Sequence, residues 1–289
     1  MNLINENTML VSTDWLQQNY SNSNMRIFDC TVWLKPHPNK IYEIVSGKSD
    51  YDIEHIPNSD FLDILQISSK DSPLPFMMPD VNMFNDAMSN KGISSDTHVI
   101  LYSRDNIQWA TRVWWMLRSV NFHNVSILNG GFDKWKAENK PLSNEPVQYP
   151  KSKFNGKFQK ECFCTKEEVL DNITNKNTII INALRKTLHN GTDEVNYGRL
   201  GHIKNSINIP SPDLIDKKTY LYKPLTELKE VFIKHDVLNR EKVIAYCGGG
   251  IAATNIAFVL TALNYKNITV YDASLNEWAK DNNLPMTVD

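Results

Sequence analysis

Nowhere in the 289 residues does an apolar run reach the roughly 20 residues needed to cross a lipid core. Membrane-spanning helices are therefore not expected. An excess of either charge is also missing: 31 Lys and Arg stand against 33 Asp and Glu, for a net charge of −2. That balance offers no general attraction to a phosphate backbone or an anionic membrane, so neither nucleic acid nor a lipid surface is expected as a partner. Cysteine is scarce, with only Cys30, Cys162, Cys164 and Cys247. Four thiols in such a chain do not make a disulfide framework. Cys162 and Cys164 are spaced C-x-C with no second pair to complete a zinc site, and the seven histidines show no ligand spacing. The start, MNLINENTMLVSTDWL, has no basic stretch leading into an apolar one, which predicts no secretory leader. A reducing cytoplasm is the expected compartment. Glycine is sparse too, at 11 residues, and three of them are consecutive.

Those three, Gly248, Gly249 and Gly250, follow Cys247 in the run VIAYCGGGIAATNIAFVLTAL. Val243 to Tyr246 reads as a short buried strand and Ile251 to Leu263 as a helix. Glycines let backbone N–H groups converge because no Cβ restricts the dihedrals. Converging N–H groups and the positive end of a helix favour an anion. A cysteine held there is favoured as thiolate, its nucleophilic form. The plainer alternative is a small core cysteine at a strand end. A packed turn needs one glycine rather than three, so the run predicts that something approaches the backbone closely. A phosphate loop is a poorer match, since its lysine and Ser/Thr are missing.

The two halves of the chain echo each other. Val99-Ile100-Leu101-Tyr102-Ser103 reappears 144 residues on as Val243-Ile244-Ala245-Tyr246-Cys247. Gly131-Phe132-Asp133-Lys134-Trp135 has its counterpart ending at Trp278, and His55-Ile56 has one at His202-Ile203. Units of about 145 residues are domains, not solenoid repeats. The expected division is residues 1–145, a linker at 146–157 that holds two prolines, and residues 158–289. In the second unit, strands at Thr178 to Asn182, Ser206 to Ile209, Val243 to Cys247 and Ile268 to Tyr271 alternate with helices at Leu225 to His235, Ile251 to Leu263 and Leu275 to Asp281. Such alternation predicts an α/β fold, each unit a mainly parallel sheet with helices on both faces. Ligands in such sheets sit beyond the carboxyl ends of the strands, where Cys247 is expected. The first unit has Ser103, Arg104, Asp105 and Asn106 where the second has the cysteine and glycines. On that comparison the glycines serve chemistry rather than packing, and the first unit is a non-catalytic partner covering the cleft.

Gly201-His202-Ile203 with Ser206-Ile207-Asn208-Ile209-Pro210, Arg112-Val113-Trp114-Trp115, Leu128-Asn129-Gly130-Gly131, and Tyr271-Asp272-Ala273-Ser274 with Glu277-Trp278 carry a further signal. With the Cys247 loop, they resemble the tandem-domain rhodanese family of thiosulfate and 3-mercaptopyruvate sulfurtransferases, over nearly the whole chain. The resemblance implies two rhodanese-like domains. It also implies that Cys247 takes a sulfane sulfur from a small anionic donor as a persulfide, in two covalent steps. Backbone N–H groups of Gly248, Gly249, Gly250, Ile251 and Ala252 would bind the donor and its charge. A thiol such as thioredoxin or a small thiol, or cyanide, would accept the sulfur, and no metal or organic cofactor is implied. The chain departs from the family at several positions. Asn182-Ala183-Leu184 stands for Asp-Ala-Arg, and the donor-binding arginine falls on Leu188. The third loop residue of the mercaptopyruvate enzymes, a serine, is Gly249, and their histidine and aspartate partners fall on Phe76 and Leu65. Gly248 and Gly249 replace the basic residues of the thiosulfate enzymes. Arg185, Lys186 or Arg199 are the cations near in sequence that could substitute for the donor-binding arginine.

Two other classes compete. A cysteine phosphatase needs an arginine six residues after the cysteine, and Ala253 and Thr254 stand there. A scaffold or thiol sensor would keep the fold and one thiol. Trp114 and Trp115 are expected in the core, and His55 and His202, present in both units, as fold features. Lys223 to Lys234 reads as a solvated helix face and Arg104 as surface charge that could reach the cleft.

Overall fold

The computed structural model describes residues 9–38 and 40–289; residues 1–8, on which the leader expectation partly rests, lie outside it. Near-continuous Val/Ile/Leu runs form strands buried on both faces, as parallel sheets require. In the first half the strands are β1 (Leu10–Val11), β2 (Met25–Asp29), β3 (Val32–His37), β4 (Lys40–Ser46), β5 (Ser59–Phe61), β6 (His98–Tyr102) and β7 (Val125–Leu128). In the second they are β8 (Phe163–Cys164), β9 (Thr178–Asn182), β10 (His202–Ile203), β11 (Ile207–Asn208), β12 (Lys242–Tyr246), β13 (Ile268–Tyr271) and β14 (Met286–Thr287). One five-stranded sheet runs β1-β7-β6-β2-β5 and the other β11-β9-β12-β13-β8. Every pairing within both is parallel. The orders correspond, β6 and β12 being the central strands, so the internal repeat in the sequence is a repeat of topology. The fold is α/β, two sheets of one design flanked by helices.

Two helices matter most for the site: α5 in the first half (Gln108–Ser119) and α10 in the second (Ala252–Ala262). Each follows the central strand of its sheet, and they pack on each other through Trp114 and Phe258, ring centroids 4.9 Å apart. Nine of the eleven residues of α10 are buried, which explains its lack of charged residues; only Thr254, Asn255 and Thr261 are polar. One core cluster runs from Leu10 through α5 and α10 to Val270, joining the halves. Trp114 and Trp115 lie in it, as expected. The helix at Leu225–Lys234 buries only Leu228 and Phe232, so its Lys/Glu positions form the solvated face expected there. Residues 144–159 form no helix or strand. They are nonetheless tied to the first half: the Tyr149 hydroxyl accepts from Ile27 N at 3.0 Å, and Phe154 is buried. The β3–β4 hairpin is the first half's departure from the common design, and it reaches over the second.

Candidate active site

Cys247 follows directly on β12, and the loop Gly248–Ile251 leads into α10. The thiol residue is 2% exposed and lies on the wall of a cavity of about 230 Å³ between the halves. Gly248, Gly249, Ile251 and Ala252 share that wall. The first half supplies Trp33, Leu34 and Tyr42 from its hairpin, with Phe76, Arg104 and Trp109. Ligand access beyond the carboxyl end of a central strand is what the sheet topology calls for.

One hydroxyl shapes the loop. Ser274 Oγ accepts from Cys247 N at 3.0 Å and from Gly250 N at 3.2 Å, and donates to Tyr271 O at 2.7 Å. Leu275 N and Asn276 N in turn donate to the Cys247 and Gly248 carbonyls. Carbonyls are thus drawn away from the cavity. Among the described residues, the N–H groups of Gly248, Gly249 and Ile251 have no protein partner. The first turn of α10 adds the unpaired donors that every helix start carries. These groups concentrate positive potential beside Cys247. Gly250 does not belong to the ring the sequence suggested. Its N–H is spent on Ser274, because at φ +72° it turns toward the Asp272 side of the loop.

The three glycines answer to protein neighbours, which corrects the expectation that packing does not require them. A Cβ on Gly248 would lie 2.0 Å from the Tyr197 hydroxyl oxygen. On Gly249 it would lie 2.7 Å from Asn276 Nδ2, and on Gly250 2.5 Å from Asp272 Oδ1.

Arg112, from α5, braces the loop from the other half. It is fully buried and donates to Asp272 Oδ1 at 2.6 Å, to the Gly250 carbonyl at 3.2 Å and to the Phe76 carbonyl. Asp272 Oδ2 also accepts from Met78 N at 2.8 Å. Thr111 and Thr254 join hydroxyls across the interface at 2.9 Å. Sequence reasoning gave Arg112, Asp272, Ser274 and Tyr197 no role. The first three sat inside motifs already noted; nothing local marks Tyr197.

The cations named as replacements are elsewhere. Arg185 is exposed and bidentate on Asp193, which holds that carboxyl well below its usual range. Lys186 is exposed at the start of a four-residue helix. Arg199 spends its guanidinium on the carbonyls of Trp278, Ala279, Asp281 and Leu284. None lines the cavity. Arg104 does, and it is not surface charge. It is 7% exposed, paired with Asp29 at 3.2 Å, with its guanidinium carbon 3.6 Å from the Phe132 ring centre. Phe76 and Leu184 also line the cavity, while Leu65 and Leu188 do not. The remaining thiols are poor nucleophiles: burial pushes Cys162 up to about 11 and Cys164 up to about 12. His55 bonds the Tyr51 and Glu145 carbonyls and His202 that of His189, so both histidines are fold features.

The model of the rhodanese-like domain matches the sequence twice, at residues 12–138 and 165–281. The chain belongs to the rhodanese-like family. The thiosulfate sulfurtransferase of Rattus norvegicus is 31% identical over 93% of this chain and 91% of its own length. The 3-mercaptopyruvate sulfurtransferase of Escherichia coli K12 is also 31% identical, over 96% of this chain and 98% of that one. The crystal structure of SseA, a 3-mercaptopyruvate sulfotransferase from Escherichia coli, superposes with a TM-score of 0.81. It is 30% identical and covers 92% of this chain and 98% of its own. In this rhodanese-like protein the repeat is thus two copies of one family domain, and by class it is a sulfurtransferase. Among the described residues no helix is long and apolar enough to cross a membrane.

Proposed function

We propose that the chain moves a sulfane sulfur from a small anionic donor, 3-mercaptopyruvate or thiosulfate, to a thiol through a persulfide on Cys247. The carrying observation is a cysteine on a cavity wall beside unpaired backbone N–H groups and the first turn of α10. The Cys247 thiolate attacks the donor's sulfane sulfur. The Sγ–S bond forms, and the donor leaves with the electron pair of the broken bond, as sulfite or as the enolate of pyruvate. A thiol such as thioredoxin, or cyanide, then takes the outer sulfur and returns Cys247 to the thiolate. Two covalent half-reactions of this kind give ping-pong kinetics.

Intact-mass measurement after incubation with each donor tests this. The expected result is a gain of one sulfur atom that disappears in Cys247→Ser. No gain with either donor would overturn the reading. A thiol sensor is the second reading, favoured by the lack of an unpaired cation among the cavity residues. Alkylation separates the two: iodoacetamide should label Cys247 fast near pH 7, and donor should protect it, whereas a sensor gives no donor protection.

A further inference from the structure

Tyr197 stands out among the buried tyrosines. Tyr51 donates to a backbone carbonyl, Tyr102 and Tyr246 share protons with Ser59 and Ser206, and Tyr222 and Tyr271 donate to Asn255 and Glu277. Buried phenols ordinarily find such partners. Tyr197 is 9% exposed, and among the described residues its hydroxyl has none. That hydroxyl lies against the Cα of Gly248, the residue after the nucleophile, where a Cβ would come within 2.0 Å of it. Tyr197 and Cys247 line the same cavity. The one arginine on the cavity wall, Arg104, has its charge offset by Asp29.

We propose that the Tyr197 hydroxyl is the hydrogen-bond donor to the sulfur donor at Cys247, and that it makes an α-keto thiol a better substrate than thiosulfate. The proposal rests on the sulfurtransferase reading and adds its substrate class. Burial, with Tyr42 and Cys247 nearby, pushes the phenol well above its ordinary value, so the group is a neutral O–H and not a base. A neutral donor suits one leaving group and not the other. Thiosulfate leaves as sulfite, with two charges over three oxygens, and asks for cations. A 3-mercapto-2-keto acid leaves as an enolate. The Cys247 Sγ–S bond forms, the S–C3 bond breaks, and its electron pair moves through C2 onto the keto oxygen. One hydrogen bond from Tyr197 to that oxygen meets the charge where it develops. Water then protonates C3 to give pyruvate, and the transferred sulfur keeps its own proton. No oxidant or reductant is consumed.

The test compares wild type and Tyr197→Phe with 3-mercaptopyruvate and with thiosulfate, each with a thiol acceptor. The phenylalanine ring keeps the packing and removes only an oxygen without a protein partner. Wild type is expected to favour mercaptopyruvate. The variant should lose about a hundredfold to a thousandfold in kcat for mercaptopyruvate, as expected for one donor to a developing oxyanion, with a smaller change in KM. Its thiosulfate turnover should stay within about twofold, as should its rate of Cys247 alkylation. Equal losses with both donors, or none with mercaptopyruvate, would overturn the role of Tyr197 while leaving the enzyme class intact. A wild type that acquires no sulfur from either donor would instead sink the underlying reading. Tyr197→Leu, which also opens the cavity, serves as the second variant and should show the same selective loss.

Discussion

Single side chains settle protonation and loop shape in this protein. His202 and His55 occupy equivalent places, yet their stacking partners differ. Tyr51 lies on His55 with ring centroids 4.0 Å apart, and His189 lies on His202 at 3.6 Å. Burial and the neighbouring His202 push His189 down to about 4. The groups facing it are His202, the Asn182 amide at 3.1 Å from Nδ1, and the exposed Asp289 carboxylate at 3.7 Å, which offsets little. An unfolded histidine titrates at about 6.5. Between those values the unfolded chain binds a proton that the native chain refuses, so stability falls as pH drops from about 6.5 toward about 4. His189→Tyr, which copies the first half, is expected to flatten that part of the curve. Urea midpoints at about pH 7 and about pH 5 measure it; an unchanged pH slope in the variant would place the cause elsewhere.

The loop between β12 and α10 shows what an element demands of its residues. Gly249 and Gly250 are adjacent and chemically identical, but their surroundings are not. A Cβ on Gly249 meets the end of the Asn276 side chain, which can move. On Gly250 it meets the Asp272 backbone oxygen at 2.6 Å, with φ at +72°, where an L side chain costs about 1–2 kcal/mol before any clash. Gly250→Ala is therefore expected to lower the melting temperature more than Gly249→Ala. It should also slow Cys247 alkylation by displacing the loop from Ser274. Equal melting temperatures for the two variants would contradict this account.

Across the whole molecule, the halves are fastened by a buried ion pair inside a shared apolar core. Arg112 is fully buried and Asp272 is 5% exposed. Such a pair is weak evidence of net stabilisation, but removing one partner strands a buried charge, at a cost of about 3–5 kcal/mol. Arg112→Met should lose stability on that scale in chemical denaturation and reduce sulfur transfer, since the Gly250 carbonyl loses its brace. Arg112→Met combined with Asp272→Leu should recover part of the stability and none of the activity. A double variant as unstable as the sum of the singles would argue against a stranded charge.

The sequence alone determined what depends on short-range pattern. Apolar runs such as Val243–Tyr246 in chain order with helical segments gave parallel sheets, the repeat at Val99 and Val243 gave two units, and a cysteine before glycines gave the candidate nucleophile beside unpaired N–H groups. Strand and helix periodicity are local properties, so they are written locally. The tertiary structure decided which far-apart residues meet. It put Tyr197, fifty residues upstream of Cys247, against Gly248, and it closed Arg112 on Asp272 across 160 residues. It gave Arg185 to Asp193 and Arg199 to backbone carbonyls, so neither reaches the cavity. A charged side chain takes whichever partner the fold brings within a few ångströms, and no spacing in the chain encodes that choice.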